Sequence, residues 1–247
     1  MRCNGRALQD FFERMPADTG MTFVVVTHLA PDHESLLADI LQRSTSMPVV
    51  QVDRRVKVEA DTVYVIPPSK HLRMMDGHLE LEEMERQQGR RVAVDLFFRT
   101  LADTHGPHAI GIVLSGADGD GAIGLKRIKE RGGLTIAQEP GEAEQEGMPR
   151  SAIATGMTDW VLPVAQMPER ILEYCGNGKR LHLPPERDPS GADRPVPPAK
   201  GGQTDAEASL HEVLLFLRMR TGRDFTCYKR ATILRRIGRR MQVNGLA

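Results

Sequence analysis

A chain of 247 residues, 40% of them hydrophobic, has room for an α/β domain with an appendage or for two small domains, and can bury a core. Lys+Arg and Asp+Glu both total 33, yet from Arg218 onward nine basic residues stand against one acidic residue, Asp224, which leaves 24 against 32 for the rest. Cys3, Cys175 and Cys227 form no CxxC pair, no run reaches the roughly 18 apolar residues of a membrane span, and no secretory signal is visible. These features exclude a recognisable zinc motif and a disulfide framework, and they predict a reducing, cytoplasmic setting without membrane insertion.

Leu8, Phe11, Phe12 and Met15 follow helical spacing, so an amphipathic helix opens the chain and stops at Pro16. Met21–Thr27 reads as a buried strand ending at His28. Asp32 is placed to cap a helix that buries Leu36, Leu37, Ile40 and Leu41. Strands are predicted at Pro48–Val52 and Val63–Ile66, and a β-hairpin turns at Asp76-Gly77. Val94, Leu96, Phe97, Phe98 and Leu101 mark a helix leading into the strand Ala109–Leu114. Beyond the glycine turn Ser115–Gly121 follow a helix at Leu125–Glu130, a strand at Leu134–Ala137, a helix at Met148–Thr155, a strand at Trp160–Leu162 and a closing helix around Ile171–Tyr174.

This alternation predicts the α/β class, a doubly wound and mostly parallel sheet flanked by helices. The α/β domain is expected over residues 1–175, a Pro/Gly linker over 176–203 and a short helical segment over 204–247. Thr204-Asp205-Ala206-Glu207 is a capping-box pattern, and Leu210, Val213, Leu214 and Leu217 form the stripe behind it. In the last helical pattern Ile233, Leu234, Ile237 and Met241 share one face, opposite Lys229, Arg235, Arg236, Arg239 and Arg240.

His28 and Asp120 both follow the carboxyl ends of buried strands, where open α/β sheets place their chemistry. A histidine and a carboxylate there suit the base-and-orienter pair of a Ser-His-Asp triad. The same residues also suit a hydrogen-bonded loop histidine and a plain tight turn. Asp118-Gly119-Asp120-Gly121 is no calcium loop, because Gly116 and Arg127 would fall where that loop needs acids.

From Arg6 to about Tyr174 the chain resembles the catalytic domain of the chemotaxis receptor methylesterase family, CheB. The resemblance rests on Phe23–Leu29, Val63–Pro68, Ser115–Gly121 and Gly147–Gly156, in that order. It implies hydrolysis of glutamyl methyl esters on chemoreceptors by a carboxylic ester hydrolase, with His28 as general base and acid, Asp120 as its orienter, and no metal or organic cofactor. The tail, Thr221–Phe225 with Tyr228–Ile237, resembles the start of the chemoreceptor methyltransferase family, CheR. That implies a methylesterase–methyltransferase fusion whose basic helix docks on acidic receptor helices or related signalling proteins, rather than on nucleic acid.

The family begins with a strand followed by G-A-S-[TA]-G-G, whose serine is the nucleophile. Counting back from Ala7-Leu8-Gln9, that serine falls at about Met1, where Met1-Arg2-Cys3-Asn4-Gly5 stands. Ala117 also replaces a frequent methionine. The resemblance therefore implies a chain inactive as written, its first strand missing and its sheet edges unpaired. Cys3 is the one nearby substitute nucleophile. The alternative expectation is a non-catalytic fragment or interaction module of such a fusion.

Overall fold

The computed structural model describes residues 5–27, 36–68, 70–83, 92–180, 203–225 and 230–246. It divides into two compact units, Met1–Gly176 and Asn177–Ala247.

In the first unit, α1 (Gly5–Arg14) buries Leu8, Phe11 and Phe12. Phe11, Phe12 and Phe23 meet edge to face at centroid distances of 5.3, 5.6 and 6.4 Å, which fixes the helix on the following strand. Then come β1 (Thr22–Val25), α2 (Leu37–Gln42), β2 (Val49–Gln51), β3 (Val56–Lys57), β4 (Thr62–Val65), β5 (Lys70–Met75) and β6 (His78–Glu83). After α3 (Ala93–His105) follow β7 (Ile110–Val113), α4 (Ala122–Glu130), β8 (Leu134–Gln138), α5 (Gly147–Ala154), β9 (Trp160–Leu162) and α6 (Met167–Arg180).

The expected parallel sheet is present as two three-stranded pieces, β1-β4-β2 and β7-β8-β9, each parallel throughout. The hairpin also stands. Asp76 and Gly77 take positive φ of 48° and 71°, the conformation a two-residue I′ turn needs. It carries a third antiparallel strand that the sequence reading missed, since β3 pairs with β6 over only two residues. One continuous core joins Tyr64, Leu72 and Leu79 to Phe97, Leu125, Ile128 and Met148.

Three expectations are corrected. Leu36 is 64% exposed, because α2 starts one residue later and buries only Leu37 and Leu41 fully. Asp32, assigned as its cap, lies outside the described residues. Val213 is 40% exposed, although Leu210, Leu214 and Leu217 of its stripe are half-buried. The chain is helical through Gly176–Arg180, the first residues of the expected linker, and residues 181–202 lie outside those described.

The second unit contains α7 (Gln203–Thr221) and α8 (Arg230–Val243). On α8, Ile233, Leu234, Ile237 and Met241 are half-buried and Val243 is buried. Arg236 and Arg240 are exposed, whereas Arg239 is half-buried and donates from Nη1 to Gln242 Oε1 at 3.0 Å.

Candidate active site at the end of the seventh strand

β7 ends at Val113, and the turn Ser115–Gly121 leads into α4. Ser115 and Asp120 are both buried. Ser115 donates its N–H to Gln138 Oε1 at 2.8 Å and accepts at Oγ from Gln145 N at 3.0 Å. Gly116 donates to Gln145 O at 2.9 Å, and Met148 donates back to Gly116 O at 2.8 Å. A Cβ on Gly116 would overlap the Met148 side chain, and one on Gly147 would overlap the Ala117 carbonyl. The glycines are therefore what lets the turn and the start of α5 lie against each other. Two sequence signatures about thirty residues apart meet here.

Asp120 sits at the far side of this turn. Its Oδ2 accepts from Val94 N at 2.9 Å, and its Oδ1 accepts from Asp95 N at 2.9 Å and Gly121 N at 2.8 Å. The N-cap of α3 is Val92, which has no side-chain acceptor. Asp120 supplies the missing one from a distant element, at a helix N-terminus that suits a negative charge. Asp118 Oδ1 accepts from Asp120 N at 3.1 Å and holds the turn's inner curve. Gly121 has φ +88°, and a Cβ there would lie 2.9 Å from Val94 Cγ1.

The arrangement is reciprocal. α4 has Gly121 as its N-cap, again without a side-chain acceptor. Asp95, in the first turn of α3, accepts from Gly124 N at 2.7 Å through Oδ1. Each helix is thus capped by a carboxylate borrowed from the other. Gly124 permits the crossing, since a Cβ there would meet Phe98 Cβ at 2.5 Å. Asp95 is only 4% exposed. Burial raises its carboxyl above the usual range; the Gly124 N–H opposes the rise and the charge of Asp120 adds to it. The sequence reading did not single out Asp95. Its only local signal is an acid two residues into an otherwise apolar helix start.

Of the two predicted site residues, Asp120 is placed at the carboxyl end of β7, and His28 lies outside the described residues, as does Cys3. No group of three His, Cys, Asp or Glu side chains suited to a metal ion occurs among the described residues. No described helix is long and apolar enough to cross a membrane.

Parallel strands, covering helices and a polar glycine turn beyond a strand's carboxyl end define an α/β domain whose candidate site lies outside the strand ends. Residues 4–171 match the family model of the CheB methylesterase, and the chain belongs to that family. Residues 208–247 match the all-alpha domain of the CheR methyltransferase, so the chain joins a CheB-type to a CheR-type segment. An uncharacterised 104.1 kDa protein of Rhodobacter capsulatus is 37% identical over 215 residues, covering 84% of this chain and 22% of that protein. A putative protein-glutamate methylesterase/protein-glutamine glutaminase of Leptospira interrogans is 32% identical over 172 residues, 69% of this chain and 89% of its own. The protein-glutamate methylesterase FrzG of Myxococcus xanthus is 34% identical over 148 residues, 60% of this chain and 44% of its own. The crystal structure of the Thermotoga maritima CheB methylesterase catalytic domain superposes with a TM-score of 0.64 at 28% identity, over 68% of this chain and 92% of that one. The chain thus spans about a fifth of the Rhodobacter relative's length and less than half of FrzG's.

Proposed function

We propose that the α/β unit is a protein-glutamate methylesterase domain, a carboxylic ester hydrolase acting on glutamyl methyl esters of chemoreceptors or related signalling proteins in the cytoplasm. The observation that carries this reading is the buried Asp120 carboxylate, fixed by three backbone N–H donors at the carboxyl end of β7. A carboxylate accepts about four hydrogen bonds, so these donors and one imidazole N–H are compatible on the same group. Asp120 then holds the His28 ring in one tautomer and stabilises its imidazolium.

In this chemistry a serine hydroxyl attacks the ester carbonyl while His28 takes its proton. His28 returns that proton to the departing methoxide, and methanol leaves. Water, deprotonated by the same imidazole, then attacks the acyl-enzyme and frees the glutamate. No G-A-S-x-G-G motif lies within the 247 residues. We therefore read this chain, taken alone, as unable to form the acyl-enzyme.

A second reading, carried by the exposed Arg236 and Arg240 of α8, is a non-catalytic fragment or interaction module that engages receptor or signalling proteins through the basic face of that helix. Methanol release from methylated receptor separates the two. The 247-residue chain is expected to release none, and a form extended upstream by the strand and serine motif is expected to release it, with loss on His28→Ala. Activity of the short chain would overturn the requirement. An extended form that binds receptor without turnover would leave the interaction module.

A further inference from the structure

The starts of α3 and α4 meet at the candidate site. One set of hydrogen bonds between them ends on Asp120, whose carboxylate accepts from Val94 N and Asp95 N at 2.9 Å each. Another ends on Asp95, whose Oδ1 accepts from Gly124 N at 2.7 Å. Asp95 therefore works in both directions. Its own N–H holds the site carboxylate, and its side chain holds the amide of the third residue of α4. Gly124 lies four residues beyond Asp120, about one helical turn, so the two bonds bracket the stretch from the glycine turn into α4. Both carboxylate oxygens of Asp120 are taken by backbone amides, Oδ2 by Val94 and Oδ1 by Asp95 and Gly121. Its orientation therefore follows from how α4 lies on α3. Backbone contact decides that. A Cβ on Gly124 would lie 3.0 Å from both the Cα and the carbonyl oxygen of Asp95, and 2.5 Å from Phe98 Cβ. Main-chain atoms cannot swing aside, so the bare Cα of Gly124 is what lets Asp95 reach its N–H. Asp95 and Gly124 are both buried, away from water that could replace the bond.

We infer that Asp95 is a positioning residue for the proposed hydrolysis, acting through Asp120 by holding the start of α4 against α3 at Gly124. The inference rests on the methylesterase reading, in which Asp120 orients an imidazole. An ordinary helix cap serves only the helix it closes. Here the acceptor for α4 belongs to the residue whose amide grips Asp120, so loss of one bond loosens the other. An orienting carboxylate works through hydrogen-bond direction, and such bonds weaken steeply when they bend. A displacement of about 1 Å at the reacting groups costs on the order of a hundredfold in rate. Asp95 spends its N–H and its side chain on Asp120 and Gly124, so its loss is expected in kcat rather than in KM.

Three variants test this. Asp95→Ala removes the acceptor, Asp95→Asn keeps an acceptor oxygen, and Gly124→Ala pries the two helices apart from the other side. Helix propensity alone would make Gly124→Ala strengthen α4, so a loss there has to come from the contact. Amide hydrogen exchange in the 247-residue chain reads the setting of Asp120 without turnover. Asp95→Ala and Gly124→Ala should speed exchange at Val94 and Gly121 at least about tenfold, while Val63 and Ile136 of the strand ladders stay within about twofold. Asp95→Asn should keep Val94 and Gly121 within about threefold of the parent. A general loss of stability would instead speed all four amides alike. If Asp95→Ala does not fold, Gly124→Ala carries the same test. In the upstream-extended form, Asp95→Ala and Gly124→Ala should lower kcat for methanol release at least about tenfold with KM within about twofold, and Asp95→Asn should retain at least about half of the parent kcat. Unchanged exchange at Val94 and Gly121, an asparagine variant as loose as the alanine one, or a change in KM in place of kcat would each overturn the inference. An extended parent that releases no methanol would overturn the methylesterase reading, and with it the role in hydrolysis, while the exchange pattern still decides whether Asp95 sets Asp120.

Discussion

The turn after β7 and the inner edge of β7 itself lie within a few residues of each other and are opposite in construction. In the turn, the backbone of Ser115, Gly116, Asp120 and Gly121 is engaged by named partners from α5 and its approach or by side chains. Along the edge, Ile110, Ile112 and Leu114 are half-buried and line an apolar cavity. The difference teaches where the chain has spent its specificity. The Asp120 carboxylate is held by a network drawn from its own turn and the start of α3, so its position is set apart from the cavity beside β7.

Removing Asp120 attacks the tied region and should have the largest effect. Asp120→Ala strips the acceptor from Val94, Asp95 and Gly121 N–H groups at a buried helix start, and should lower stability by about 3 kcal/mol or more in denaturant titration. A loss below about 1 kcal/mol would show that the turn is held without it. A smaller effect of opposite sign is expected at Asp95. Its carboxyl is raised in the folded state, mainly by burial, so its favourable contribution is present below the unfolded value near 3.8 and is lost as pH rises through the folded one. Asp95→Asn keeps an acceptor for Gly124 N–H and removes the buried charge. Its melting temperature should rise relative to the parent as pH is raised above the unfolded value near 3.8, the gap growing until the folded carboxyl has lost its proton; a gap that never opens or that shrinks would refute the assignment. Least affected should be the cavity-lining edge of β7. Ile112→Val shortens a half-buried side chain beside an existing cavity and should change stability by less than about 0.5 kcal/mol, below the usual range for a packed core. A loss above about 1.5 kcal/mol would mean the edge is as packed as the turn.

Much of this was legible in the sequence because it is local. Short β-branched runs gave β1, β4 and β8, and Asp76-Gly77 gave the hairpin turn, since few other residue pairs take two positive φ values together. The glycine turn and its partner Gly147–Gly156 were legible as motifs, though not their contact. What escaped depends on distant partners. Asp95 looks like a surface acid of an amphipathic helix until Gly124, 29 residues on, is seen to donate to it. β3 is two residues long and exists only against β6. Leu36 fits a buried stripe by spacing, yet the helix it belongs to starts after it.

Helix α3 ties the candidate site to the hairpin. At one end its amides grip Asp120. Six residues further along, Thr100 Oγ1 accepts from Met74 N of the hairpin at 3.1 Å and donates to Phe97 O at 2.9 Å. An α-helix rises about 1.5 Å per residue, so some 9 Å of stiff backbone joins the two grips. The hairpin and the glycine turn are thus two brackets on one short length of the same helix.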